Sequence, residues 1–220
     1  MQSRPKSIVF DAYGTLFDVH SVLRTAVHGI AGDLEALSNL WRRNQLEYTW
    51  LLALMERFQD FRQITEMSLR ASARQIGISV TEDQVGLLMK AYLSPARFPE
   101  VRSTLQSLSG IPLAILSNGT TDMVTSAVAN SGLTSFFDHV ISVDRVGTYK
   151  PSPRVYALGP EILRFPAADI LFVSANGWDA AGAKSYGYQV CWCNRSNAVQ
   201  EDLGFTPDFV ITALDQITRI

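Results

Sequence analysis

Histidine, cysteine and charge are all scarce in this 220-residue chain, and each scarcity removes a class of function. Three histidines occur, His20, His28 and His139, and no two have metal-ligand spacing. A histidine-built metal centre is therefore excluded, and a Ser-His-Asp triad has little support. The two cysteines stand as Cys191-Trp192-Cys193, neither a Cys-x-x-Cys redox motif nor half of a four-thiolate zinc site. They read as small apolar residues of a buried strand. Charged residues make up 18% of the chain and the formal net charge is −2. Without a basic surplus there is no footprint for nucleic acid or an anionic membrane. The longest apolar run, Trp50 to Met55, falls far short of the ~20 residues of a membrane span. The first residues, MQSRPKSIVFD, turn acidic too soon for a signal peptide, so a cytoplasmic location is expected.

Proline is also missing from one long stretch. None occurs between Pro5 and Pro95, and seven follow from Pro99 onward. A proline-free stretch suits helices, where the ring removes a donor and clashes with the preceding turn. Leu51, Leu54, Met55 and Phe58 follow the stripe of a half-buried helix, as do Val85, Leu88, Met89 and Tyr92. Thr81 to Gln84 reads as a capping box, and Gly77 suits a helix C-terminus after Leu69–Ile76. Residues from about 19 to 97 are thus expected to be all-helical.

The rest alternates. Apolar runs at Ser7–Asp11, Leu113–Ser117, Val140–Val143, Ile170–Ser174, Val190–Cys193 and Phe209–Ile211 read as strands. Helical patterns lie between several of them, such as Val124, Ala127 and Val128 before Gly132. Gly159-Pro160 predicts a short or kinked helix after Lys150. The fold class is therefore α/β: a Rossmann-like parallel-sheet core of residues 1–18 and 98–220, with an inserted all-helical cap domain at 19–97. Ligands of open α/β sheets bind beyond the carboxyl ends of the strands. Those ends carry Asp11-Ala12-Tyr13-Gly14-Thr15, Ser117-Asn118-Gly119, Lys150-Pro151, and Ser174-Ala175-Asn176-Gly177-Trp178-Asp179 with Gly182-Ala183 three residues on.

Together these segments resemble the four motifs of the haloacid dehalogenase superfamily, in order, across nearly the whole chain. Most of that superfamily are magnesium-dependent phosphatases, with a second aspartate two positions after the nucleophile and an acidic pair in the fourth motif. Here Tyr13 takes the first of those places, and Asp179 stands alone with Ser174, Ala175 and Asn176 ahead of it. A hard divalent cation prefers carboxylate oxygens, so a bound metal is disfavoured. The chain is more similar to the L-2-haloacid dehalogenase branch, whose cap signature is matched by Trp41-Arg42 and Gln45-Leu46-Glu47-Tyr48-Thr49-Trp50. Arg43, Asn44 and Ala175 depart from that branch's pattern, with Arg43 a position that could tune substrate choice.

The resemblance implies hydrolytic removal of halide from a short L-2-haloacid through an ester on Asp11, with water as co-substrate. The nucleophile would be Asp11, kept ionised by Lys150. Asp179, Ser174, Asn176 and Lys150 would serve the hydrolytic water, with Thr15 and Tyr156 completing the polar shell. Arg42 and Asn118 would take the leaving halide, and Ser117 with nearby backbone N–H groups the substrate carboxylate. Ala12, Tyr13, Leu46, Phe61 and Trp178 would line the rest of the pocket. It implies no metal or other cofactor and a homodimer. Taken without the motifs, Trp41, Leu46 and Trp50 read equally as cap packing, Asp18 as a hinge acid, and His20 and His28 as surface residues.

Overall fold

The computed structural model describes residues 4–26, 29–200 and 202–220; His28 lies outside them. Its centre is β1 (Ser7–Phe10), every residue of which is buried. After the short strand β2 (Phe17–Asp18) come the helices of the insert. These are α1 (Ser21–Ala26), α2 (Leu34–Leu54), α3 (Phe61–Gln75) and α4 (Glu82–Ala91). The short β3 (Ala96–Arg97) returns the chain, followed by α5 (Val101–Ser107), β4 (Leu113–Ser117), α6 (Thr121–Asn130) and β5 (His139–Ser142). The last part holds α7 (Pro153–Tyr156), α8 (Leu158–Leu163), β6 (Ile170–Ser174), α9 (Gly177–Tyr186), β7 (Gln189–Cys193) and β8 (Phe209–Ile211).

Six strands form one parallel sheet in the order β5-β4-β1-β6-β7-β8. β4, β6 and β7 are buried at every position, which explains their unbroken apolar runs: helices cover both faces. Phe10 lies opposite Ile115 on one side and Val173 on the other. The chain runs outward from β1 through β4 to β5, then returns across β1 to β6. That reversal places the crevice of the sheet at the carboxyl ends of β1 and its neighbours. The expected strands are all present, shifted by no more than a residue or so at their ends. The helix after Lys150 is indeed broken, into α7 and α8.

Two expectations for the insert need correction. Residues 19 to 97 are not helical throughout: β2 and β3 pair antiparallel, Phe17 opposite Arg97 and Asp18 opposite Ala96. The two crossings between insert and core lie side by side, and pairing satisfies backbone groups at both. Nor is the Leu51–Phe58 stripe half-buried on a helix. α2 ends at Leu54, the chain reverses at Glu56 with φ +55°, and Leu51, Leu54, Met55 and Phe58 are exposed, Leu54 by 82%. The buried face of α2 carries Leu37, Trp41, Asn44, Gln45 and Thr49 instead.

That face meets α3 largely through hydrogen bonds. Trp41 Nε1 donates to the Thr65 carbonyl at 2.8 Å, Asn44 Nδ2 to Ser72 Oγ at 2.9 Å, and Gln45 Nε2 to Thr65 Oγ1 at 2.7 Å. Aspartate side chains cap both helices, Asp33 accepting from Ala36 N–H and Asp60 from Gln63 N–H. On α4 the capping box of Thr81 and Gln84 is formed, and Val85, Leu88, Met89 and Tyr92 are buried as the stripe requires. Gly77, at φ +72°, takes the left-handed turn just past α3.

Candidate active site

Asp11 follows β1 directly, and its N–H still donates to the Val173 carbonyl at 2.9 Å, so the sheet fixes where the carboxylate stands. The Lys150 ammonium donates to Asp11 Oδ1 at 3.0 Å and to Asp179 Oδ2 at 2.9 Å. Asp11 Oδ2 accepts from Thr15 Oγ1 at 3.0 Å and from Asn176 Nδ2 at 2.9 Å. Thr15 is aimed by a bond of its own: the Ala175 N–H donates to its hydroxyl oxygen at 2.8 Å, leaving the proton for Asp11. This contact uses the backbone of residue 175, so alanine there leaves it intact. Asp179 Oδ1 accepts from Tyr156 at 2.7 Å. A side chain at Gly182 would place a Cβ 2.5 Å from that phenol oxygen and 2.9 Å from Pro151 Cβ. Glycine at 182 is what allows Tyr156 to reach Asp179.

Lys150 and Asp179 are 1% and 0% exposed. Burial alone would lower the Lys150 pKa, but the carboxylates of Asp11 and Asp179 outweigh it and raise it. Burial, with the repulsion of Asp11, raises the Asp179 pKa against the opposing pull of Lys150. The Tyr156 phenol, raised by burial and by Asp179, stays protonated and donates. A divalent cation does not fit here. The place between the two carboxylates is filled by an ammonium, and among the described residues no cluster of three His, Cys, Asp or Glu side chains could hold a metal.

In front of Asp11 lies a chamber of about 10 Å³, room for roughly one water. Asp11, Asn118 and Ser117 form its core side; Arg42, Leu46 and Phe61 come from the cap; Tyr13, Asn176 and Trp178 complete it. Asn118 Oδ1 accepts the Lys150 N–H at 3.0 Å, while its Nδ2 is buried without a protein partner. Arg42 reaches over from α2, donating to Gln45 Oε1 at 2.9 Å and to the Tyr13 carbonyl at 3.2 Å. The Tyr13 and Phe61 rings stack, centroids 6.1 Å apart, and Trp50 meets Trp178 edge-on at 5.4 Å. Trp50 therefore joins cap to core, whereas Trp41 packs within the cap. Outside the chamber opens a cleft of about 760 Å³ that shares Arg42, Leu46 and Asn176 with it.

The structure thus brings together most of the residues singled out in the sequence. Ser117 lines the chamber and Ser174 ends β6 on the other side of β1, but their hydroxyls accept the Gly119 and Asn176 N–H groups at 3.1 Å and hold those turns. Ala12 is fully buried and absent from the chamber wall; its carbonyl accepts the amides of Thr15, Leu16 and Phe17 in the turn after Asp11. Arg43 is exposed and away from the chamber, because it lies on the outer face of α2. Asn44 is buried between α2 and α3. Asp18 pairs with Arg24 in the hinge region. His20 is not a plain surface residue: it is half-buried in the larger cleft, its Nδ1 2.7 Å from Ser38 Oγ, and burial lowers its pKa. Sequence reasoning gave no role to Arg195, whose guanidinium holds the Thr15 carbonyl at 3.0 Å and pairs with Glu100. Nor did it give a role to Gln45, named only as part of the cap signature, although an i, i+3 spacing from Arg42 on a helix was a usable signal.

Comparison with known proteins agrees with this geometry. Residues 5–187 match the family model of the haloacid dehalogenase-like hydrolases. The chain is 45% identical to an (S)-2-haloacid dehalogenase of Pseudomonas sp. strain YL, over 98% of this chain and 94% of that one. It is 43% identical to haloacetate dehalogenase H-2 of Moraxella sp. strain B, over 98% and 97% respectively. Among solved structures, the L-2-haloacid dehalogenase of Xanthobacter autotrophicus with chloropropionic acid covalently bound superposes with a TM-score of 0.91. That likeness is at 38% identity and covers 98% of this chain and 97% of the other. With the family model spanning most of the sequence, this chain belongs to the haloacid dehalogenase-like hydrolases.

Proposed function

We propose that the protein is an (S)-2-haloacid dehalogenase that hydrolyses short L-2-haloacids to D-2-hydroxy acids without a metal. The observation that carries this reading is the buried Lys150 ammonium between Asp11 and Asp179, which sets a cation against the one carboxylate that faces the small chamber. An Asp11 oxygen bonds to C2 of the substrate from the side opposite the halide. The halide leaves with the bonding electron pair, and C2 inverts. Arg42 and the unpartnered Asn118 amide donate to the departing anion. Ser117 and the adjoining backbone N–H groups take the substrate carboxylate, while Tyr13, Leu46, Phe61 and Trp178 exclude water. Ala12 supports this wall through its turn.

Water then attacks Cγ of the Asp11 ester. Its proton passes to Asp179, whose raised proton affinity suits a base. As the ester C–O bond breaks, Asp179 returns that proton to the departing alkoxide and the D-2-hydroxy acid leaves. Asp11 keeps the water oxygen, while the second water proton goes to solvent. Thr15, Asn176, Ser174 and Tyr156 hold the carboxylates in place. The chamber as it stands holds about one water, so residues 19–97 act as a cap that moves away from residues 1–18 and 98–220 to admit the substrate from the larger cleft and then closes over it. Phosphate transfer is the lesser reading: Tyr13 stands where a phosphatase's second aspartate would, and Lys150 fills the cation's place. The exposed Leu51 and Leu54 on α2, with Met55 just past its end, offer an apolar face for a homodimer, and we place the enzyme in the cytoplasm. No helix among the described residues is long and apolar enough to cross a bilayer.

The test is a single turnover of L-2-chloropropionate in H₂¹⁸O with enzyme in excess. Mass spectrometry of the peptide containing Asp11 should find the label there. Label confined to the hydroxy acid would mean that water attacks C2 directly. Magnesium-dependent phosphate release from small monophosphates, with no halide release, would establish the lesser reading.

A further inference from the structure

The cap contributes one cation to the chamber, Arg42, and the direction of that guanidinium is set inside the cap. Gln45 lies one turn along α2 on the same face. Its Oε1 accepts from Arg42 Nη1 at 2.9 Å, and the side chain is fully buried. The other end of the amide, Nε2, donates to Thr65 Oγ1 on α3 at 2.7 Å. The Thr65 hydroxyl proton is committed to the Phe61 carbonyl at 2.5 Å, so that oxygen is left to accept. The amide is thereby oriented: nitrogen toward α3, oxygen toward Arg42. Tyr92 is 3.5 Å from the same oxygen, too far to replace Thr65 as the anchor. Beyond Gln45, Arg42 Nη2 donates to the Tyr13 carbonyl, two residues after Asp11. One line of hydrogen bonds runs from α3 through Thr65, Gln45 and Arg42 to the nucleophile's own loop.

We infer that Gln45 is a positioning residue for dehalogenation, holding the Arg42 guanidinium at the leaving-halide end of the chamber and so setting the preference among leaving groups. The inference rests on the reading of Arg42 as a halide donor. Its chemical basis is that the acceptor is neutral. A carboxylate at residue 45 would aim Arg42 equally well but would cancel its charge, whereas an amide aims it and leaves the charge for the halide. A poorer leaving group depends more on that donor, so chloride should depend on Gln45 more than bromide.

The experiment follows halide release from L-2-chloropropionate and L-2-bromopropionate in single turnovers, with ester hydrolysis timed separately by rapid quench. Gln45→Leu is expected to slow chloride release about 30-fold and bromide release about 5-fold, the scale of losing part of one transition-state donor. Ester hydrolysis should be unchanged, because Arg42 faces the halide and not the water. Thr65→Val, which removes only the anchor, should give the same pattern at about 5-fold on chloride. This second variant carries the test if Gln45→Leu folds poorly. Adding Gln45→Leu to Arg42→Met should cost nothing further, as for two groups acting through one contact. Equal slowing of both halides, slowed ester hydrolysis, or additive losses in the double variant would overturn the positioning role while leaving Arg42 as halide donor. An Arg42→Met enzyme that releases chloride at the unsubstituted rate would overturn both.

Discussion

The two halves of the chamber are built on opposite plans. The core half holds its groups with charge: Lys150 lies within 3.0 Å of two carboxylates, all three side chains buried or nearly so. Neutral amides and hydroxyls hold the cap half together, through Asn44, Gln45, Thr65 and Ser72 between α2 and α3. On the proposed reading the core needs charge because a nucleophilic carboxylate that is partly dried needs a cation beside it. With Arg42 as the proposed halide donor, the cap needs orientation without spare charge, because an extra carboxylate beside that guanidinium would compete with the halide. One contrast in bonding thus separates the part that reacts from the part that aims.

The largest expected effects come from breaking the core half. Asp11→Asn should lower halide release by at least about 10⁴-fold, the scale seen when a nucleophile is removed. It keeps the size of the side chain, so the urea midpoint measures whether the fold survives. Lys150→Met should cost activity and stability together. Removing one partner of a buried ion pair leaves uncompensated charge and typically costs about 3–5 kcal/mol. A Lys150→Met protein that keeps its urea midpoint would show that the core half is not held by charge.

The pH dependence sharpens the same contrast. Lys150 has a raised pKa in the folded protein, so its ammonium persists past the ordinary lysine value of 10.5. The stabilisation it provides is complete below that unfolded value and is lost only as pH rises through the higher folded one. Halide release should therefore show no loss attributable to Lys150 up to about that pH, provided the fold holds. An alkaline limb near pH 8 or 9 that disappears in Lys150→Arg would contradict the assignment.

In the cap the effects should be smaller and mainly structural. Asn44→Ala removes bonds to Ser72 at 2.9 Å and Gln75 at 3.2 Å. With Ser72 left buried and short of a partner, the cost should be about 1–3 kcal/mol by urea denaturation. Chloride release at saturating substrate should fall by no more than about threefold, since Asn44 reaches neither Arg42 nor the chamber. A large fall in turnover without loss of stability would erase the distinction between aiming residues and packing residues.

Much of this division was legible in the sequence. Asp11, Lys150 and Asp179 each follow an apolar strand at the same edge, and parallel topology brings such ends together whatever lies between them. The six strands were readable because both faces are covered, so each is a continuous apolar run. The β2–β3 pairing was not, since a two-residue strand has no period, and the two strands meet across some 80 residues of insert. The Leu51–Phe58 stripe misled for a related reason. Its helical spacing is real, but spacing says nothing about whether another element arrives to cover it, and here α2 ends at Leu54 instead. His20 was misjudged as a surface residue because the cleft that half-buries it forms only when cap meets core.

Arg43 provides the smallest expected effect and the cleanest separation of sequence pattern from structure. As a departure from the cap signature beside Arg42, it invites a role in substrate choice. On a helix, however, adjacent residues point about 100° apart, and Arg42 already faces the chamber. Arg43 is exposed and lies away from the chamber wall. Arg43→Ala should leave stability within about 0.5 kcal/mol, as exposed substitutions usually do. KM for L-2-chloropropionate and the chloride-to-bromide ratio should both be unchanged. A shift in that ratio would mean that charge on the outer face of α2 reaches the halide, and the cap would no longer be a device that aims without adding charge.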